Sequence, residues 1–97
     1  MTAQPLVGEN CFVAGVDTHA DTHHVALIDW RGVHVADRQV DATPDGHRDL
    51  VAFLDSHGMV ARVGVEGTSS YGAALSRHLR AAGFTVGTAA LAGAFPA

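Results

Sequence analysis

A chain of 97 residues has room for one small domain, and at that length much of the surface stays exposed, so its stability margin is narrow. Hydrophobic residues make up 47% and charged residues 16%, with no apolar run near the roughly 20 residues that cross a bilayer, which excludes a membrane-spanning helix. The net charge of −4 excludes the broad basic surface behind most non-specific nucleic-acid affinity, so any DNA or RNA contact must be local or rely on more protein.

The opening "MTAQPLVGEN" carries no Lys or Arg and leads into no signal-peptide apolar core. A disordered tail over residues 1 to 10, no export and a cytoplasmic location are expected. The single cysteine, Cys11, cannot close an internal disulfide and is expected to be a buried, chemically idle thiol beside Phe12, Val13 and Ala14.

Residues 11 to 16, "CFVAGV", form an apolar run suited to a central strand covered on both faces. A turn over Thr18 to Thr22 leads to a second strand, "HHVALID" (23 to 29), in which His23 and His24 must point to opposite faces. The tight connection "WRG" (30 to 32) enters a third strand over 33 to 42, where Val33, Val35 and Asp37 alternate with His34, Ala36 and Arg38. Such short connections make the three strands antiparallel.

The period then changes. Thr43 can cap, Pro44 suits the first helical position, and Leu50, Val51, Phe53 and Leu54 make an apolar stripe ending at Gly58. "ARVGVEG" (61 to 67) returns to strand character. A second helix is expected over 68 to 83, with Ser69 or Ser70 as cap, Tyr71, Ala74, Leu75, Leu79 and Ala82 on one face, and Gly83 as terminator. "FTV" (84 to 86) begins a fifth strand, and residues 87 to 97 show no pattern and are left as a tail.

The order is β-β-β-α-β-α-β in a mixed α/β sheet. A right-handed helical crossover makes the fourth strand parallel to one already present, and the apolar first strand is its natural neighbour. Asp17 and Glu66 then emerge from one carboxyl edge, where open α/β sheets place their ligands. Two adjacent carboxylates repel, and a hard cation such as Mg²⁺ relieves that repulsion. The residues alone leave two other roles open for this pair: Asp17 as a turn cap through Thr18 or His19, and Glu66 as a solvated strand end.

The segments "GVDTHADTHHVALID" and "GVEGTSSYGAALSRHLRAAGFTV" resemble the N-terminal part of DEDD-type insertion-sequence transposases, the one-ten insertion-sequence family that includes the pilin-gene invertases. The resemblance covers residues 11 to about 86. It implies an RNase H-like (RuvC-like) domain, incomplete at its C-terminus, with Asp17 of "GVD" and Glu66 of "EGTSSY" as catalytic residues and ligands of Mg²⁺ or Mn²⁺. It also implies DNA transposition and recombination as the parent activity, DNA as partner, a guide RNA as a candidate partner, and a homo-oligomeric parent. The family's two later aspartates lie beyond this chain, and its polar, basic continuation is replaced by "GTAALAGAFPA". That change resembles a degenerate or frameshifted remnant. Metal binding is therefore expected to be weak or absent in the fragment, and the fragment itself inactive.

Other constellations carry less. His19, Asp21, His23 and His24 crowd together, but the H-x-H pair common in zinc sites is absent. His34, His47, His57 and His78 are scattered and expected to be exposed or interfacial, and Asp29 and Asp37 to be solvated. "GTSSYG" lacks the G-x-S-x-G of a nucleophile elbow, so its serines read as helix caps and Tyr71 as packing. Two further functional classes stand beside the transposase. An actin- or sugar-kinase-like ATP site would need a phosphate turn richer in glycine than "DTHAD", and a non-catalytic interaction module would bind no divalent ion.

Overall fold

The computed structural model describes residues 11–66 and 70–87. The expected tail over 1 to 10, the cap at Ser69 and residues 88 to 97 lie outside them. The elements are β1 (Cys11–Thr18), β2 (Thr22–Asp29), β3 (His34–Asp41), α1 (Pro44–Asp55), β4 (Met59–Glu66), α2 (Ser70–Ala81) and β5 (Val86–Gly87). They form one sheet ordered β3-β2-β1-β4-β5. Pairing is antiparallel from β1 to β2 to β3 and parallel from β1 to β4 to β5, as the crossover argument requires.

Residues of one strand parity build the core. Ala14 and Val16 of β1, Val25 and Leu27 of β2, Val40 of β3 and Val63 and Val65 of β4 pack with Leu50 and Leu54 of α1 and Leu75 and Leu79 of α2. Both helices therefore cover the same face. Fully burying one such aliphatic side chain contributes about 1.5–3 kcal/mol, so this cluster holds the two crossovers in place. The opposite face carries Cys11, Val13 and Gly15 of β1, where Val13 is buried but Cys11, expected to be buried, is half-buried at the start of the strand.

Helix α1 starts as its sequence dictates, with the hydroxyl of Thr43 accepting from the Gly46 N–H at 3.0 Å and Pro44 in the first turn. It ends at Asp55, with Ser56 as its C-cap, three residues short of Gly58. Helix α2 ends in a Schellman arrangement: Gly83 has φ 99°, its N–H donates to the Arg80 carbonyl at 3.0 Å, and the Phe84 N–H donates to the Leu79 carbonyl at 3.0 Å. That closure takes Phe84 out of the fifth strand, so β5 is Val86–Gly87 and Gly87, expected in the tail, pairs with Gly64. It also turns Ala82 to solvent. The buried stripe of α2 runs through Gly72, Leu75 and Leu79, which leaves Tyr71 at its margin, 45% exposed, where packing was expected.

Candidate active site

The parallel register of β1 and β4 sets Asp17 beside Glu66, and the antiparallel register of β1 and β2 sets His24 on the other side of Asp17. These positions lie on the face opposite the helices, at the carboxyl ends of β1 and β4. One step back along the strands, Gly15 lies between Ala26 and Gly64, and a Cβ at Gly15 would meet nothing within 4 Å. The floor beside the two carboxylates is thus small and open.

Local bonds fix the edge. The Thr18 hydroxyl donates to the Glu66 carbonyl at 2.7 Å, and the His19 N–H donates to the Thr22 carbonyl at 3.0 Å, closing the turn. Asp17 Oδ2 lies 3.1 Å from His19 Nε2, with both side chains more than half exposed. Asp17 therefore engages an imidazole, and the backbone of its own turn is closed without it. Glu66 is exposed. Two carboxylates and a neighbouring imidazole are hard or borderline donors, and Mg²⁺ is commonly held by one or two carboxylates with waters completing its shell. The donor type of Asp17 and Glu66 fits such an ion. Among the described residues, no group of three or more His, Cys, Asp or Glu side chains is placed to hold a metal ion.

The remaining polar residues sort by face. His23 and His24 do point oppositely: His23 is fully buried on the helix side, and His24 is exposed and bonded to Asp37 at 2.5 Å. His57 sits close to the Phe53 carbonyl, with Nδ1 at 2.8 Å. Asp29, expected in solvent, is buried, as is His47, expected to be exposed or interfacial. His47 is 9% exposed, because the first turn of α1 is pressed onto the sheet. Asp29 is 8% exposed and organises the β2–β3 hairpin, accepting from the backbone N–H groups of Arg31 and Val33 at 2.9 and 3.0 Å and from the Arg31 guanidinium at 2.8 Å. The Arg31 guanidinium holds its carboxyl below the usual range, against desolvation, which acts the other way. An aspartate at the start of a tight turn was the available signal, since Asx side chains bond the backbone two residues on.

Comparison with solved structures identifies the architecture. The large terminase nuclease from thermophilic phage G20c superposes with a TM-score of 0.61 at 18% identity, over 80% of this chain and 43% of that one. A ROK family transcriptional regulator, a homolog of the E. coli MLC protein, gives 0.57 at 11% identity, over 81% and 27%. The ethanolamine utilization protein EutJ from Carboxydothermus hydrogenoformans gives 0.52 at 16% identity, over 79% and 35%. The chain thus spans less than half the length of each. No curated protein matches it.

The domain has the RNase H-like α/β fold that it shares with a nuclease, carrying paired acidic strand ends. Its family is more specific than its fold: the profile of the IS110-type DEDD transposases, described as transposase, matches residues 14–91, and the chain belongs to that family. The described residues contain no helix long and apolar enough to cross a membrane.

Proposed function

We propose that this domain contributes the first two carboxylates, Asp17 and Glu66, of the divalent-metal site of a DNA transposase. The observation that carries the reading is their side-by-side register at the carboxyl edge of adjacent parallel strands, in a chain of a transposase family. When bound, Mg²⁺ would offset the charge that develops on phosphodiester oxygens during strand cleavage and transfer. The chain's own part is positional. β1 and β4 hold the two carboxylates in register, Thr18 ties their ends together, and His19 sits against Asp17. DNA is the substrate this reading assigns to the whole transposase. The net charge of −4 places most of the backbone-binding cations elsewhere in such an assembly.

Because Asp17 and Glu66 stand as a pair among the described residues, the 97-residue chain is expected to bind Mg²⁺ or Mn²⁺ weakly and to leave DNA uncut. The test is a titration of the isotopically labelled chain with Mg²⁺ and Mn²⁺, read by amide shifts and paramagnetic broadening. Changes centred on Asp17 and Glu66, and lost in the Asp17→Asn/Glu66→Gln variant, are expected. Silence in both proteins would reduce the pair to solvated strand ends. Metal-dependent DNA cleavage abolished by Asp17→Ala would overturn the assignment of inactivity.

A further inference from the structure

Three imidazoles from three elements meet between the sheet and the helices. His23 of β2 is fully buried, and neither of its ring nitrogens has a hydrogen-bond partner. His47 of α1 stacks on it, with ring centroids 5.6 Å apart and planes 17° apart, and His78 of α2 lies 5.5 Å from His47 at 58°. The trio does not form a metal-holding group among the described residues. It links β2 to both helices through ring contacts alone.

Such a stack is compatible with burial only while its rings are neutral. A buried polar atom without a partner already costs free energy, and an uncompensated charge there costs far more. The charged groups on the surrounding elements do not supply that compensation. On α1, Asp49 is paired with Arg38 of β3 at 3.0 Å, and Asp45 is paired with Arg48. Asp21, before β2, and Asp41, at the end of β3, have exposed side chains, as do Arg77 and Arg80 of α2. Asp17 of β1 lies on the opposite face and is engaged by His19. The charges that act on the two buried rings are themselves imidazoles, His19 on His23, and His23 and His78 on His47, and the Thr22 backbone, which favours a charged His23, is outweighed by burial.

The stack also adjoins the candidate site. His23 lies opposite Thr18 in the β1–β2 register, and Thr18 holds the Glu66 carbonyl. We propose that His23 and His47, with His78 packed against His47, form an acid-sensitive latch, which docks α1 and α2 on the sheet while the two buried rings are neutral and loosens both helices and the Asp17–Glu66 edge when it takes up a proton. The proposal stands on packing and is independent of whether the edge binds metal.

The sign follows from the unfolded chain. Burial, as the largest cause, pulls His23 and His47 below the ordinary imidazole value of 6.5. The unfolded state therefore binds protons first as pH falls, and stability that is complete above about pH 6.5 declines below it, down to the depressed folded values.

The experiment follows the imidazole resonances of the intact chain by NMR from pH 7.5 to 5, with urea unfolding and amide exchange measured over the same range. His23 and His47 are expected to titrate below the free imidazole value, and the unfolding constant to rise as pH falls, by up to about tenfold per pH unit for each proton taken up. Exchange at Val65 and Glu66 should quicken with the same midpoint. His23→Leu should flatten the pH dependence while folding at least as well at pH 7.5. Should that variant fail to fold, the wild-type titration still decides: rings titrating at or above the free value would overturn the latch, and exchange at Val65 and Glu66 that ignores the titration would overturn its link to the edge.

Discussion

The hydroxyl of Thr18 donates a 2.7 Å hydrogen bond to the carbonyl oxygen of Glu66, so the ends of β1 and β4 are joined by a side chain just beyond the last paired residues, Asp17 and Glu66. The β1–β4 register ends at that pair, so the side-chain bond carries the tie one residue further along β1. Thr18→Val keeps the branched shape and removes only the donor. It is expected to cost about 0.5–1.5 kcal/mol in urea unfolding, the usual net worth of one hydrogen bond. It should also weaken any Mg²⁺ or Mn²⁺ response at Asp17 and Glu66 more than it weakens the fold, and Thr18→Ser should restore both. Equal loss of metal response in Thr18→Ser would separate the hydroxyl from the site.

Gly46 makes the opposite demand on α1. Replacing a helical glycine by alanine ordinarily stabilises by about 0.5–1 kcal/mol. At Gly46 an added Cβ would run into the backbone of Asp41, overlapping its carbonyl oxygen and lying 2.6 Å from its carbonyl carbon. Backbone cannot rotate away, and α1 is held close to Asp41 because its N-cap, Thr43, follows only two residues later. Overpacking therefore wins. Gly46→Ala is expected to destabilise by about 1–3 kcal/mol, seen as an earlier urea midpoint with an unchanged slope. A later midpoint would show that α1 can lift from the end of β3 at little cost.

These two residues mark what the sequence makes legible and what it hides. The change of period at Thr43 and Pro44 announces α1, and the crossover rule is enough to bring Asp17 and Glu66 together, because both sit at strand ends and parallel pairing aligns such ends. Gly46 reads as an ordinary weak helix residue until Asp41 is seen against it. His23, His47 and His78 lie 24 and 31 positions apart, on three elements of two different periods, and nothing in their spacing brings them together. Asp29 was hidden for a different reason: a carboxylate in a hairpin is ordinarily solvated, and its burial depends on Arg31 folding back over it. Gly83 announces the stop of α2, whereas the further bond from Phe84 to Leu79 that displaces the start of β5 follows only from the closed turn.

Asp29 gives the acid limb of stability its own signature. Its carboxyl is held below the ordinary 3.8, chiefly by the Arg31 guanidinium, so the folded chain keeps it ionised where the unfolded chain would protonate it. The stability it contributes is present above about pH 4 and is lost as pH falls through the depressed folded value. Asp29→Asn keeps one carbonyl acceptor for the hairpin N–H groups but removes the charge that Arg31 grips. The variant is expected to melt at a lower temperature at pH 7 and to show a shallower fall in melting temperature below pH 4. Between pH 6.5 and 5 its slope should match the wild type, because that window belongs to His23 and His47, whose rings charge on unfolding. Thermal unfolding from pH 7 to 3 separates the two limbs: an unchanged fall below pH 4 in Asp29→Asn would mean that other carboxylates carry it, and a changed slope between 6.5 and 5 would mean that the hairpin and the imidazole stack melt as one unit.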